Sequence, residues 1–162
     1  MKNLSIIYIF LLALVSCGIE RYDDGSKLYK FYYFDGTLKK TQLQKPGEGI
    51  GNGYWKYYDE DGNITKEFQR TGGKSNGMVK FYWKNGKLKA EEFMVFGVLT
   101  GSYTSYYERG SKEYLGQKVN GKFEGVWLHF NGDGDTLQKF LYKNGELIGE
   151  TSLAQTKNNK LK

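Results

Sequence analysis

The chain holds one cysteine, one proline and one histidine, and each scarcity excludes something. A lone Cys17 cannot close an intramolecular disulfide, so stability has to come from secondary structure and packing. A lone His129 cannot supply a metal site built on histidines or cysteines. Nor does any second titratable residue stand at a recognisable catalytic spacing from it, so His129 reads as a structural or surface residue and the chain as a non-enzyme with no cofactor. Between Gly53 and Gly149 nothing has helical length or a 3.6-residue period, which leaves no helical architecture for that stretch. The single proline, Pro46, falls in the irregular segment 45–51, as expected of a looser connection.

Net charge is small once its location is considered. The formal value is +6, but one lysine lies in residues 1–16 and three lie in 153–162, leaving the intervening part at about +2. A nucleic-acid binder would be expected to carry a basic stripe on its fold. Here lysine and glutamate are interleaved, as in Lys66-Glu67, and the expectation is a solvated sheet face with no nucleic-acid partner.

What the sequence has in abundance is glycine at a fixed period. Gly53, Gly77, Gly101, Gly125 and Gly149 recur every 24 residues, and so do Gly62, Gly86, Gly110 and Gly134, and Gly73, Gly97, Gly121 and Gly145. Three locked registers over four units mark a repeat array in which each unit is one supersecondary element. Asp61-Gly62, Asn85-Gly86, Asp133-Gly134, Asn120-Gly121 and Asn144-Gly145 are two-residue hairpin signals, and the residues between them are β-formers. Each unit is therefore two strands and two turns. Turn-to-turn distances alternate between 11 and 13 residues, as from Gly62 to Gly73 and on to Gly86, and the longer segment holds an extra glycine. That glycine is expected to sit in a bulge absorbing the surplus. Leu28 to Leu43 reads as a degenerate first unit, its Tyr32 to Leu38 aligning with Phe81 to Leu88 after one deletion. The expected fold is an all-β, elongated, antiparallel meander of 24-residue hairpins in one twisted layer over residues 27–152, with surface and almost no pocket.

The unit, best seen in Val119 to Phe130 and Lys143 to Gly149, resembles the MORN repeat variant as found in the YwqK-type antitoxin family of bacterial repeat proteins. The resemblance runs from about Leu28 to Gly149. It implies a scaffold that presents a sheet surface for protein or membrane contacts, with an antitoxin or immunity-type role among the expectations.

Residues 1–16 have the proportions of a signal peptide: a short polar start, an apolar run over Leu4 to Leu14, and Leu14-Val15-Ser16 before Cys17. The end of this stretch resembles a lipobox, which implies that Cys17 becomes the lipidated first residue and ties the chain to a membrane. Ordinary secretory cleavage and an uncleaved helix with a free thiol are the alternatives. Gly18 in place of aspartate favours the outer membrane, and Glu20, Asp23 and Asp24 fit a surface-export signal. Residues 17–26 read as a tether and 153–162 as a basic, disordered tail.

Aromatic residues are plentiful, with 14 Tyr, 10 Phe and 3 Trp. One row, Tyr58, Tyr82, Tyr106 and Phe130, is aromatic in four units and is expected to be the structural ladder. The other, Trp55, Tyr103 and Trp127, admits Val79 and is expected to be the binding surface. Both roles hold if the rows lie on opposite faces. Glu67, Glu91, Glu92 and Glu113 are expected as cross-strand partners of lysines, and Gly72-Gly73-Lys74-Ser75 as a turn rather than a phosphate loop. The functional expectation is an envelope lipoprotein that binds a protein, either a toxin or an envelope component. Cell-wall glycan binding and a structural spacer are the alternatives.

Overall fold

A computed structural model describes residues 17–153, which contain thirteen strands and no helix. They are β1 (Cys17–Arg21), β2 (Lys27–Tyr32), β3 (Leu38–Gln44), β4 (Gly53–Tyr58), β5 (Ile64–Thr71), β6 (Lys74–Ser75), β7 (Gly77–Tyr82), β8 (Leu88–Val95), β9 (Val98–Tyr106), β10 (Lys112–Val119), β11 (Lys122–Phe130), β12 (Thr136–Lys143) and β13 (Glu146–Ser152). All join one antiparallel sheet in chain order, with the two-residue β6 pairing β5 beside β7. At about 4.8 Å per strand this open meander is roughly 50 Å from β1 to β13. The expected architecture is the observed one. The signal and tail readings on 1–16 and 154–162 lie outside the described residues.

The sheet starts earlier than the sequence suggested. Residues 17–21, expected as part of a tether, form β1 and pair with β2 from Cys17↔Phe31 to Arg21↔Lys27. The turn between them is closed by Asp24, whose carboxylate accepts from the Ser26 amide at 2.8 Å and from its hydroxyl at 3.0 Å. A polar, glycine-containing segment is also what a capped turn requires, and composition alone does not separate the two.

Two turn geometries alternate. At one edge five-residue loops recur at 33–37, 59–63, 83–87, 107–111 and 131–135, each with an amide returning to the first residue, as from Gly86 to the Trp83 carbonyl at 2.9 Å. Only the fourth residue has positive φ, 79° at Gly86, which is a type I turn closed by a glycine bulge. Asp61-Gly62, Asn85-Gly86 and Asp133-Gly134 are therefore not two-residue hairpins. Where Asp59 or Asn131 opens the loop, its side chain accepts from the amide of Asn63 or Asp135 at 2.8 Å and holds the longer loop. The other edge has true two-residue turns with both φ values positive, 51° and 79° at Asn120-Gly121 and 52° and 89° at Asn144-Gly145. The first unit has the same loop at 33–37 without any deletion.

The surplus of the long segments goes where expected. Between β8 and β9 the register passes from Glu92↔Tyr103 to Met94↔Leu99, setting three residues around Gly101 against Phe93 alone. Between β10 and β11 it passes from Leu115↔Leu128 to Gln117↔Glu124, so Gly125, Val126 and Trp127 stand against Gly116. Each bulge absorbs two residues, the difference between 13 and 11. The faces are thereby kept in phase along the array.

Cross-strand pairing fixes what lies on each face. One face, here the tryptophan face, carries the ladder Cys17↔Phe31↔Lys40↔Tyr57↔Lys66↔Phe81 and, beside it, Gln42↔Trp55↔Phe68. The other, the tyrosine face, carries Tyr58, Tyr82, Tyr106 and Phe130, which precede the last four five-residue loops. The two aromatic rows do lie on opposite faces.

One turn departs from its siblings. At 96–97 the first residue is Phe96, with φ of 45° and more than half its surface exposed. A β-carbon in the left-handed region costs about 1 kcal/mol or more, and asparagine tolerates it best. Phe96→Asn should raise stability by about 1 kcal/mol in urea melts. A lower midpoint would mean that the exposed ring packs well enough to offset the strain.

Candidate binding face

The row expected to bind a partner is largely the core of the sheet. Trp55 and Trp127 are each 5% exposed, Phe68 is 6% exposed and Val79 is fully buried. A single layer has no second sheet to cover these rings, so neighbours on the same face cover them. Phe31 stacks on Trp55 at 6.1 Å, Trp55 on Tyr57 at 6.4 Å and Tyr57 on Phe68 at 5.9 Å. The Lys40 ammonium lies 4.7 Å from the Phe31 ring and 5.2 Å from that of Trp55, laying its stem along the aromatic surface. The Trp55 indole N–H donates to the Gly51 carbonyl at 3.1 Å, leaving no polar group for a ligand.

Tyr103 and Trp127 are brought together; Trp55 is apart from them in the other half of the sheet. Their rings are 5.3 Å apart, and Phe123 meets Trp127 edge-on at 4.5 Å. Tyr142 lies 5.1 Å from Phe123 and 6.3 Å from Phe140. With Tyr114 and Lys118 these rings line an aromatic dish of about 270 Å³. Lys118 sits 4.6 Å over Tyr103 and is held by Glu92 at 4.0 Å. Burial pushes the Tyr103 hydroxyl above its ordinary range, and the Glu92 charge adds to this, so it stays a neutral hydrogen-bonding group.

The dish depends on Gly116. A β-carbon there would lie 2.2 Å from the Trp127 ring, so only glycine lets the indole lie flat across β10. Its N–H donates to the Gln117 carbonyl at 3.1 Å. Phe123, Phe140 and Tyr142 were missed because they fall outside the strict 24-residue rows. A glycine in mid-strand, opposite a tryptophan across the bulge, was the available signal. His129 stacks on Tyr114 at 4.5 Å, with its ring nitrogens 3.2 Å from the Gln138 amide oxygen and 3.4 Å from the Tyr107 hydroxyl.

The tyrosine face has a different chemistry. Lys56, Glu67, Lys80 and Glu91 alternate across four strands, with Lys56–Glu67 at 3.9 Å and Lys80–Glu91 at 4.0 Å, as the carboxylate ladder was expected to do. Glu113 departs from it, accepting from the Ser105 hydroxyl at 3.1 Å. The expectation of almost no pocket needs correcting on this face. A concavity of about 650 Å³ opens between the β1–β2 turn and β4, with Thr41 and Leu43 in its floor and Tyr22, Tyr54 and Lys56 among its walls. The turn into β2, unrecognised in the sequence, builds its rim.

Two outcomes follow from this packing. Gly116→Ala should destabilise by about 1–3 kcal/mol through overpacking against Trp127, with a change in tryptophan emission; parent-like stability would mean that the indole does not lie there. Glu67 gives a pH test. Burial alone would raise its carboxyl, but hydrogen bonds from Tyr82 and Tyr54 outweigh that and hold it below its ordinary 4.5. A depressed folded value contributes stability above the unfolded pKa that is lost as pH falls. Glu67→Gln should therefore lower the melting temperature near about pH 7, with the gap to the parent closing below about pH 4. An equal gap at both would rule out the carboxylate as its source.

Residues 52–69 and 75–95 match the family model of the MORN repeat variant. Each stretch covers one hairpin with its five-residue loop, β4–β5 in the first and β7–β8 in the second. No curated protein matches the chain. The match lies on the part of the sheet adjoining the aromatic dish, and the same hairpin recurs at β9–β10 and β11–β12. Residues 52–69 and 75–95 are thus similar to MORN repeat variant units, a similarity that suggests a repeat-based binding module.

Proposed function

We propose that this protein is a non-enzymatic envelope lipoprotein, anchored through Cys17, that presents the tryptophan face of its sheet to a protein partner. The aromatic dish carries the reading. A buried Trp127 ringed by more accessible Tyr103, Phe123, Phe140 and Tyr142 has the anatomy of an interaction hot spot, a desolvated anchor with surrounding rings that exclude water. The resemblance of residues 14–17 to a lipobox supports the anchor, Gly18 in place of aspartate supports the outer membrane, and an exposed Cys17 at the start of the first strand suits modification. An immunity-type role against a secreted toxin is one form of such partner binding. The dish also has room for a sugar ring against its aromatic surface, which makes cell-wall glycan the second reading.

Because Trp55 and Trp127 hold the fold, the informative variant removes more accessible rings instead, the exposed Phe123 and the half-buried Tyr142: Phe123→Ala with Tyr142→Ala. Pull-downs of envelope proteins should lose the partner with this variant, provided circular dichroism matches the parent. Retention on purified cell wall that falls in its place would support glycan, and unchanged recovery of both would place function away from the dish. Cys17→Ala should abolish incorporation of labelled palmitate; equal labelling would sink the anchor.

A further inference from the structure

The interleaving of lysine and glutamate, which looked neutralising along the chain, separates charge between faces once the strands form. Neighbours in a strand point to opposite sides, so Lys66 stands on the tryptophan face and Glu67 on the tyrosine face. From β1 to β7 the tryptophan face carries Arg21, Lys27, Lys40, Lys66 and Arg70. No carboxylate stands at a strand position on that face before Glu92 on β8. The carboxylates stand instead on the tyrosine face, where Glu20, Glu67 and Glu91 match Lys30, Lys56 and Lys80 beside the further lysines Lys39 and Lys74. Among the described residues, none of the five cations on the tryptophan face belongs to an ion pair.

Folding accounts for the aliphatic stems that cover the rings, but not for the absence of carboxylates among the charges above them. Arg21 and Lys27 are direct cross-strand partners, and like charges placed opposite each other destabilise a sheet. Lys40 and Lys66 are held in position by rings, Lys66 lying 5.0 Å from both Phe68 and Phe81. Ammonium groups fixed in this way lose little side-chain freedom when they meet an anion.

We propose that this cationic half of the tryptophan face binds an acidic, extended segment of the protein partner. The inference rests on the protein-binding reading above and names the chemistry of what is bound. Lys40 and Lys66 share one ladder and are two strands apart, about 10 Å. A polyproline-II-like extended chain has three residues per turn and rises about 3.1 Å per residue, so carboxylates on every third residue share one side about 9 Å apart and match that spacing. Nucleic acid fits less well, because the tryptophan and phenylalanine rings that would stack bases are buried beneath the lysines.

The test uses the full chain and fluorescence anisotropy with a labelled peptide of repeated Glu-Gly-Gly. The parent should bind it, more weakly as salt is raised from about 50 to about 500 mM. Lys40→Gln with Lys66→Gln should weaken binding roughly tenfold, and the arginine pair at the same positions should restore it. Lys56→Gln with Lys80→Gln removes equal charge from the other face and should change affinity less than about twofold. Absence of binding, equal loss in both glutamine variants, or tighter binding of oligothymidylate than of the peptide would overturn the proposal. Partner recovery that survives Lys40→Gln/Lys66→Gln but not Phe123→Ala/Tyr142→Ala would overturn it and leave the protein-binding reading standing. Recovery that survives both would overturn the proposal and that reading together.

Discussion

A sheet one layer thick has nothing to pack against, and this constraint shapes the rest of the molecule. Burial normally comes from a second layer of helices or strands. Here it comes from neighbours on the same surface, which is why Trp55 and Trp127 reach 5% exposure in a fold with no second layer among the described residues. Rings lean on rings across strands, and lysine stems close the gaps above them. Large flat side chains and long aliphatic cations are the residues able to do this, which accounts for a composition rich in tyrosine, phenylalanine and lysine.

The same constraint makes the glycines unavoidable. A ring that must lie flat needs a neighbour without a side chain, as Gly116 provides for Trp127. A sheet that must keep one set of rings on one surface needs its surplus residues removed in pairs, as the bulges at Gly101 and Gly125 do. Turn chemistry and packing chemistry thus meet in one residue type, and the period is visible because both demands repeat with it.

This explains what could be read from the chain. Strand order, turn positions, bulges and the opposition of the two aromatic rows were legible, since each depends on local spacing that repeats. Which row is buried was not. Val79 in the place of Trp55 looked like tolerance on a free surface, whereas it is the most enclosed side chain of the core. Lys40 and Arg70, which cover Trp55, stand on the strands either side of it, and their distance along the chain from Trp55 is unrelated to the 24-residue period, so the repeat does not reveal them. The β1 strand was likewise hidden, because five residues with a glycine carry too little pattern to announce a strand. Charge segregation needed only the two-residue alternation, but it shows once the strands are in register.

The paired bulges and turns have a consequence for how such a molecule can change in length. Each 24-residue unit adds two strands, or about 10 Å, and returns the chain to the same edge, direction and surface. Duplication or loss of one unit would therefore extend or shorten the sheet without turning any later residue over. The number of units sets a distance, the residues within them set an affinity, and the two can vary separately over generations.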